Sequence, residues 1–316
     1  MKLTNMMCLI IIIFLIGCKD SGNSEIEKEQ IYTGTKGLDI EIIEESYPNE
    51  VNEKEEFNVV IKLTNYGAYP FSPGNSVFTL STEKKYMEFS GGNNIESKQI
   101  NLNGKQNFNS DDDFQVLEYT LKAKELDIES QYHTVKVIAN ACYDYQTKVY
   151  ADVCIDTDKY NTKIIDKVCS SEPVTLSGGQ GGPVAVTRIE PTMLSDKNNI
   201  KPQFRIYIEN LDYGSVIKQG TYNTICSSNS PQRNDYNQIE LTDIKFSRFT
   251  LNDFDCEPEI NGRFFAKLEN EQDVVTCTLK NGISKATATY TTPLYIQLDY
   301  GYTTTDFIEI MIKNLS

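Results

Sequence analysis

Residues 135–155 read VKVIANACYDYQTKVYADVCI. Val135, Val137, Ala139, Ala141, Tyr143 and Tyr145 stand at every second position, with Lys136, Asn140, Asp144 and Gln146 among the residues between them. A period of two puts one set of side chains on each face of an extended chain, the pattern of a half-buried β-strand. The stretch has an echo. Residues 298–312, LDYGYTTTDFIEIMI, align without gaps on residues 141–155, ACYDYQTKVYADVCI. Tyr143, Tyr145, Thr147 and Ile155 then fall on Tyr300, Tyr302, Thr304 and Ile312. Each stretch is expected to form a hairpin, the first turning near Thr147 and Lys148.

The same period runs outward from there. Leu38, Ile40 and Ile42 alternate with acids, and Phe57, Val59, Ile61 and Leu63 form a longer series. Phe204, Ile206 and Ile208, then Leu294, Ile296 and Leu298, then Ile308, Ile310 and Ile312 continue it. No apolar stripe at helical spacing outlasts two turns, so the body reads as all-β. A second motif repeats as well: VVIKLTNYG at 59–67 and FRIYIENLDYG at 204–214 are alternating strands that end in Asn, an aromatic residue and Gly. Each follows a shorter alternating segment, at 37–43 and 182–189. The shared order of elements points to a tandem duplication, with SGGQGGP at 177–183 marking the joint.

The expected organisation is a signal peptide at 1–17, a flexible tether at 18–36 and a first β-sandwich at 37–160. A joint at 161–181 and a second sandwich at 182–316 complete it. Each half has room for about seven strands in two antiparallel sheets of the immunoglobulin or fibronectin type III kind. The chain has no Trp, so Phe and Tyr must fill the cores. Tyr143 and Tyr145, on the same face as Val135 and Val137, are assigned to that task and not to stacking on sugars. Asn65 and Asn210 are read as turn formers, and His133 as a surface residue.

The strand–Asn–Gly motifs resemble the cell-adhesion-related (CARDB-like) sandwich modules of archaeal and bacterial envelope proteins. TNYGAY at 64–69, ACYDYQT at 141–147, LSGGQGGPVAVTRIEP at 176–191 and YTTPLYIQLDYGYT at 290–303 together resemble an uncharacterised family of archaeal cell-surface proteins. That second likeness covers most of the chain after Gly37. It implies kinship and a surface location, and it carries no activity.

The N-terminus supplies an address. Lys2 precedes an apolar or small-residue run from Met6 to Gly17. As a helix such a run reaches only ~18 Å, short of a ~30 Å hydrocarbon core, so it suits a signal peptide better than a membrane span. Leu15, Ile16, Gly17 and Cys18 resemble the lipobox of secreted lipoproteins. That likeness implies a diacylglyceryl thioether on Cys18, and two acyl chains hold a protein stably at a membrane. The expected location is the outer face of the cell membrane. Residues 1–17 contain Lys2 and no acid, so their loss takes the formal charge from −15 to −16.

With Cys8 removed and Cys18 lipidated, Cys142, Cys154, Cys169, Cys226, Cys256 and Cys277 remain. An even number in an exported chain indicates disulfides, with connectivity left open by spacing. Cys142 with Cys154, across the expected hairpin, is one pairing, and its rival is Cys154 with Cys169. Cys256 with Cys277, closing a hairpin through Asn261 and Gly262, is another. Cys169 with Cys226 would follow from the first. CxxC spacing is absent, so neither a zinc ribbon nor a redox motif is supported.

Composition narrows the function. A charge of −15 argues against nucleic acid as a partner, and a single His argues against His-dependent hydrolysis and His-rich metal sites. Asp111, Asp112 and Asp113, and the group Asp156, Asp158 and Asn161, offer oxygen ligands. Neither group matches the EF-hand calcium loop, and both are read as solvated acidic loops, with no metal or cofactor expected. The leading expectation is a non-enzymatic, lipid-anchored surface module for adhesion, envelope assembly or partner binding, with a protein or glycan partner. The alternatives are an exported two-carboxylate glycosidase or a ligand-capture lipoprotein with a deep interdomain pocket.

Overall fold

In the computed structural model the described residues are 32–105, 111–162, 167–227 and 232–315. Cys18, the lipobox and residues 18–31 of the expected tether lie outside them. Branched and aromatic side chains at alternate positions give seven principal strands in the first half. They are β1 (Leu38–Ile42), β2 (Glu56–Asn65), β3 (Ser76–Thr82), β4 (Met87–Phe89), β5 (Ile95–Lys98), β6 (Asp113–Ala123) and β7 (Tyr132–Ile155). Seven more follow in the second half. These are β8 (Val184–Asp196), β9 (Asn199–Asn210), β10 (Gln238–Phe246), β11 (Phe254–Glu257), β12 (Arg263–Lys267), β13 (Gln272–Leu279) and β14 (Tyr290–Lys313).

The all-β class of packed antiparallel sheets is the one expected. Among the described residues, β1-β2-β6-β4 form one small sheet and β11-β13-β9-β8 the core of another. A nine-stranded sheet runs through β12-β10-β14-β7-β3-β5, extended by short strands at its edges. The two halves match strand for strand. Thus β2 lies between β1 and β6 as β9 lies between β8 and β13, and β3 flanks β7 as β10 flanks β14.

The joint between the halves differs from the expectation of two separate sandwiches. Strands β7 and β14 pair antiparallel over their whole length, from Tyr132 opposite Lys313 to Ile155 opposite Tyr290. Both halves therefore share one sheet, and one contiguous cluster of buried apolar residues extends through them. In immunoglobulin terms each half supplies the A, B, E, D sheet and strands C and F, and the F strand of the other half takes the place of G. Neither long strand is left with a bare edge along this seam, so its backbone donors and acceptors are satisfied.

The expected hairpin at 141–155 is also replaced, by a continuous strand. Gln146, Thr147 and Lys148 contain no Gly, Pro or Asn to permit a tight turn, and pairing with β14 satisfies the backbone without one. Tyr143 faces Tyr302 and Tyr145 faces Tyr300. Because the repeat aligns Tyr143 with Tyr300 and Tyr145 with Tyr302, exchanging the halves maps each pair onto the other. A local two-fold axis thus passes through the pair Asp144–Gly301.

The described residues at the end of the joint and of the tether belong to the folded body. Gly34 N donates to Gly178 O at 2.7 Å and Gly181 N to Gly34 O at 2.9 Å. Val174–Thr175 adds a short strand beside β8. The disulfides are Cys142–Cys226, Cys154–Cys169 and Cys256–Cys277. Cys256 and Cys277 lie opposite each other on β11 and β13. Cys142 does not bond to Cys154, because an unbroken strand carries them too far apart, and Cys169 does not bond to Cys226.

Candidate functional site

The axis between the halves is built of tyrosines. Tyr143, Tyr145, Tyr300 and Tyr302 are all at most 1% exposed. Ring centroids are 5.9 Å apart both for Tyr143 with Tyr302 and for Tyr145 with Tyr300. Each hydroxyl fastens a segment of backbone or a turn. Tyr143 Oη accepts from Leu38 N at 3.3 Å, and its repeat-equivalent Tyr300 Oη accepts from Val184 N at 3.3 Å. These are the first residues of β1 and β8. Tyr145 Oη donates to Gly181 O at 2.6 Å, and Tyr302 Oη donates to Asn210 Oδ1 at 3.0 Å. Burial pushes all four phenols well above their ordinary value. They stay neutral and serve as the hub of the fold, the core role the alternation assigned to Tyr143 and Tyr145.

The two strand-end motifs dock on this hub. Asn65 Nδ2 donates to the carbonyls of Tyr69 and Asn103 while its Oδ1 accepts from Gly67 N. Asn210 Nδ2 donates to Gly214 O in the same manner. Both asparagines organise turns, as expected. A Cβ added at Gly67 would collide with Tyr145 Oη, and one at Gly214 with the Tyr302 ring and Thr303 O. The repeated Asn–aromatic–Gly motif therefore exists so that a turn can lie against a tyrosine of the opposite sheet.

On the opposite face of the shared sheet, the same alternation presents polar groups. Gln146 Nε2 donates to Asp299 Oδ1 at 2.8 Å, and Tyr295 Oη donates to Gln297 Oε1 at 2.8 Å. Asp144 Oδ1 accepts from Gly220 N at 2.8 Å. Burial, and then the charge of Asp299, raise the Asp144 carboxyl above the usual carboxylate range. Asp299, together with Glu240 and Arg263, lines a narrow cleft beside β12. Arg263 Nε donates to Glu240 Oε1 at 2.6 Å, and a second bond joins the other nitrogen and oxygen of the pair.

A segment found in the second half alone walls this face. The link between β2 and β3 spans only 66–75, whereas its counterpart between β9 and β10 spans 211–237. The longer link contains the strand Ser215–Ile217, the helix α1 (Tyr222–Cys226) and the turn Arg233–Asp235. Val77, Cys142, Ile217 and Cys226 form a separate buried cluster under it. Tyr222 Oη donates to Gly74 O at 2.6 Å, and the Cys142–Cys226 disulfide anchors the segment to β7. Length comparison of the two links could have exposed this insertion in the sequence, since the Asn–Gly motifs mark where each begins.

The acidic group after Cys154 departs from the solvated loop expected of it. Asp156 and Asp158 are buried. Asp156 Oδ2 pairs with Lys167 Nζ at 2.8 Å, and its Oδ1 accepts from Asp158 N at 2.9 Å. Asp158 Oδ1 accepts from Thr162 N and Thr162 Oγ1. The acids bind their own loop, which the Cys154–Cys169 bridge holds against the body. Asp113 likewise accepts from Asn103, and Asp112 pairs with Lys105 at 3.2 Å. His133 is half-buried, 3.2 Å from Glu83 and stacked on Tyr86 with centroids 3.8 Å apart. Among the described residues no group of His, Cys, Asp and Glu is placed to hold a metal ion.

The three disulfides belong to a chain folded in an oxidising, extracytoplasmic compartment. Among the described residues no helix is long and apolar enough to cross a membrane. No protein-family model and no curated protein matches the chain. Among solved structures, the chain is similar to the C-terminal domain of the AgI/II polypeptide BspA of Streptococcus agalactiae. The identity is 10% and the TM-score 0.19, over 87% of this chain and 98% of that one. A partial N-terminal region of an enterococcal surface protein matches at 7% identity and TM-score 0.22, over 85% and 84%. Red sea bream transglutaminase matches at 9% and 0.21, over 88% of this chain and 31% of that one. At such scores none of them bears on activity, and the all-β architecture rests on the sheets themselves.

Proposed function

We propose that this chain is a non-enzymatic, lipid-anchored module of the cell surface, of the kind its sequence motifs suggest in archaeal envelope proteins, and that it binds a protein or glycan partner. One observation carries the proposal. All six cysteines downstream of Cys18 are consumed in three mutual disulfides, which leaves none of them to pair with the cysteine in the lipobox position. An exported chain, a signal-like leader and a cysteine directly after it form the pattern on which lipoprotein maturation acts. The body that follows is a β-scaffold in which the four axial tyrosine hydroxyls and the buried Asp156 and Asp158 are engaged internally.

The test is the intact mass of the protein purified from its native membrane. The expected mass lacks residues 1–17 and carries acyl groups on Cys18. A mature chain that retains Met1, or has an unmodified Cys18, removes the anchor from the proposal. Surface cross-linking in the same membranes then identifies the neighbour that the module holds.

A further inference from the structure

We infer that the cleft between β12 and the insertion in the second half is a binding site for a carboxylated polysaccharide. This rests on the reading of the chain as a surface binding module and names the site and the class of partner. The cleft encloses about 660 Å³. Lys218 and Asn234 contribute from the inserted link, and Gln238, Arg263, Phe265 and Lys267 from the adjoining strands.

Charge is the first argument. The chain carries 45 acids against 30 basic residues, and many of its lysines and arginines pair with carboxylates. Lys218 and Lys267 face one concavity with no carboxylate within ion-pair distance among the described residues; Asp235 also lines it, and its carboxylate accepts from Gln232 N at 2.8 Å. Arg263 is held in place by Glu240, with its guanidinium carbon 5.7 Å from the Phe265 ring centre. An acidic molecule that gathers unneutralised cations in a cleft presents a local attraction for anions.

The remaining lining selects among anions. Asn234 and Gln238 both donate and accept, which suits sugar hydroxyls, and Phe265 offers a flat apolar surface for a pyranose face. Divergence between the halves supplies the third argument. Lys218 and Asn234 belong to the link by which the second half exceeds the first, and a disulfide pins that link to the shared sheet. A long loop fixed on a rigid scaffold is where binding residues concentrate.

The test uses full-length protein in detergent, titrated with hyaluronate, with neutral dextran and with poly-L-glutamate. Hyaluronate is expected to bind in low salt and to release as salt rises. Lys218→Glu with Lys267→Glu should weaken that binding at least about tenfold, roughly 1.4 kcal/mol, with an unchanged melting temperature. A control with the same change in charge, Lys84→Glu with Lys159→Glu, should bind as the parent does. If the double variant melts early, Lys267→Gln alone takes its place and should still weaken binding. No hyaluronate binding, or equal loss in the control, overturns the site. Poly-L-glutamate binding as tightly as hyaluronate overturns the glycan in favour of an acidic peptide. None of these outcomes alters the mass of Cys18, and an unlipidated chain that still bound hyaluronate would remove the anchor alone.

Discussion

The two halves of this molecule are the same construction finished in two ways. Both dock an Asn–aromatic–Gly turn on a tyrosine, start a strand on a second tyrosine and lend a long strand to a common sheet. The first half then closes its link between β2 and β3 tightly. The second extends the equivalent link over the face of the shared sheet and fastens it with Cys142–Cys226. Conserved construction marks what the fold needs, and the added segment marks what was built on it.

The hardest blow to the symmetry should come at its centre. Tyr145→Ala and Tyr302→Ala each remove a fully buried ring from equivalent places, and each should cost about 3–5 kcal/mol in urea unfolding. Losses that differ between them by more than the whole of the smaller one would break the equivalence of the halves.

The asymmetric feature comes next. Cys142→Ser with Cys226→Ser opens a bridge that spans 84 residues and has no counterpart in the first half. The expected loss is about 2–4 kcal/mol in denaturant unfolding. Unchanged stability would show that the hydrophobic contacts of Val77 and Ile217 hold the insertion unaided.

The smallest effect lies on the axis itself, where Asp144 stands opposite Gly301. Burial and Asp299 raise the Asp144 carboxyl, so its protonated form is favoured in the folded state. Its contribution to stability is therefore full at acid pH, below the unfolded-state value, and is lost as pH rises through the raised one. Asp144→Asn should melt slightly higher than the parent at neutral pH, and the gain should vanish in acid. A gain of equal size at both pH values would assign the effect to something other than ionisation.

Much of this is legible in the sequence. Alternation at Phe57–Leu63 and at Val135–Tyr145 identified strands and core faces, because a period of two in side-chain polarity has one structural meaning over so many residues. The Asn–Gly motifs mark turns, and Cys256 with Cys277, expected to close a hairpin, is a disulfide. The hairpin expected near Thr147 is absent for a specific reason. Repeated Tyr-rich segments suggested two local units, while the residues at the supposed turn carried no turn chemistry. The acids of the Asp156 loop read as solvated in the sequence, because a run of acids looks exposed until Lys167, Asp158 and Thr289 are brought around it.

By itself the sequence determined the class of the fold, the repeated order of its strands, the tyrosines that would be buried and the N-terminal pattern that resembles a lipid address. These follow from local periodicity and from chemistry confined to neighbouring residues. Only the tertiary structure decided that β7 and β14 pair with each other, that Cys142 reaches Cys226, and that the inserted link forms a cleft. Alternation says which face a side chain occupies and is silent about which strand lies at its edge. Edge choice depends on backbone hydrogen bonds summed over distant segments, and those become visible when the chain is folded.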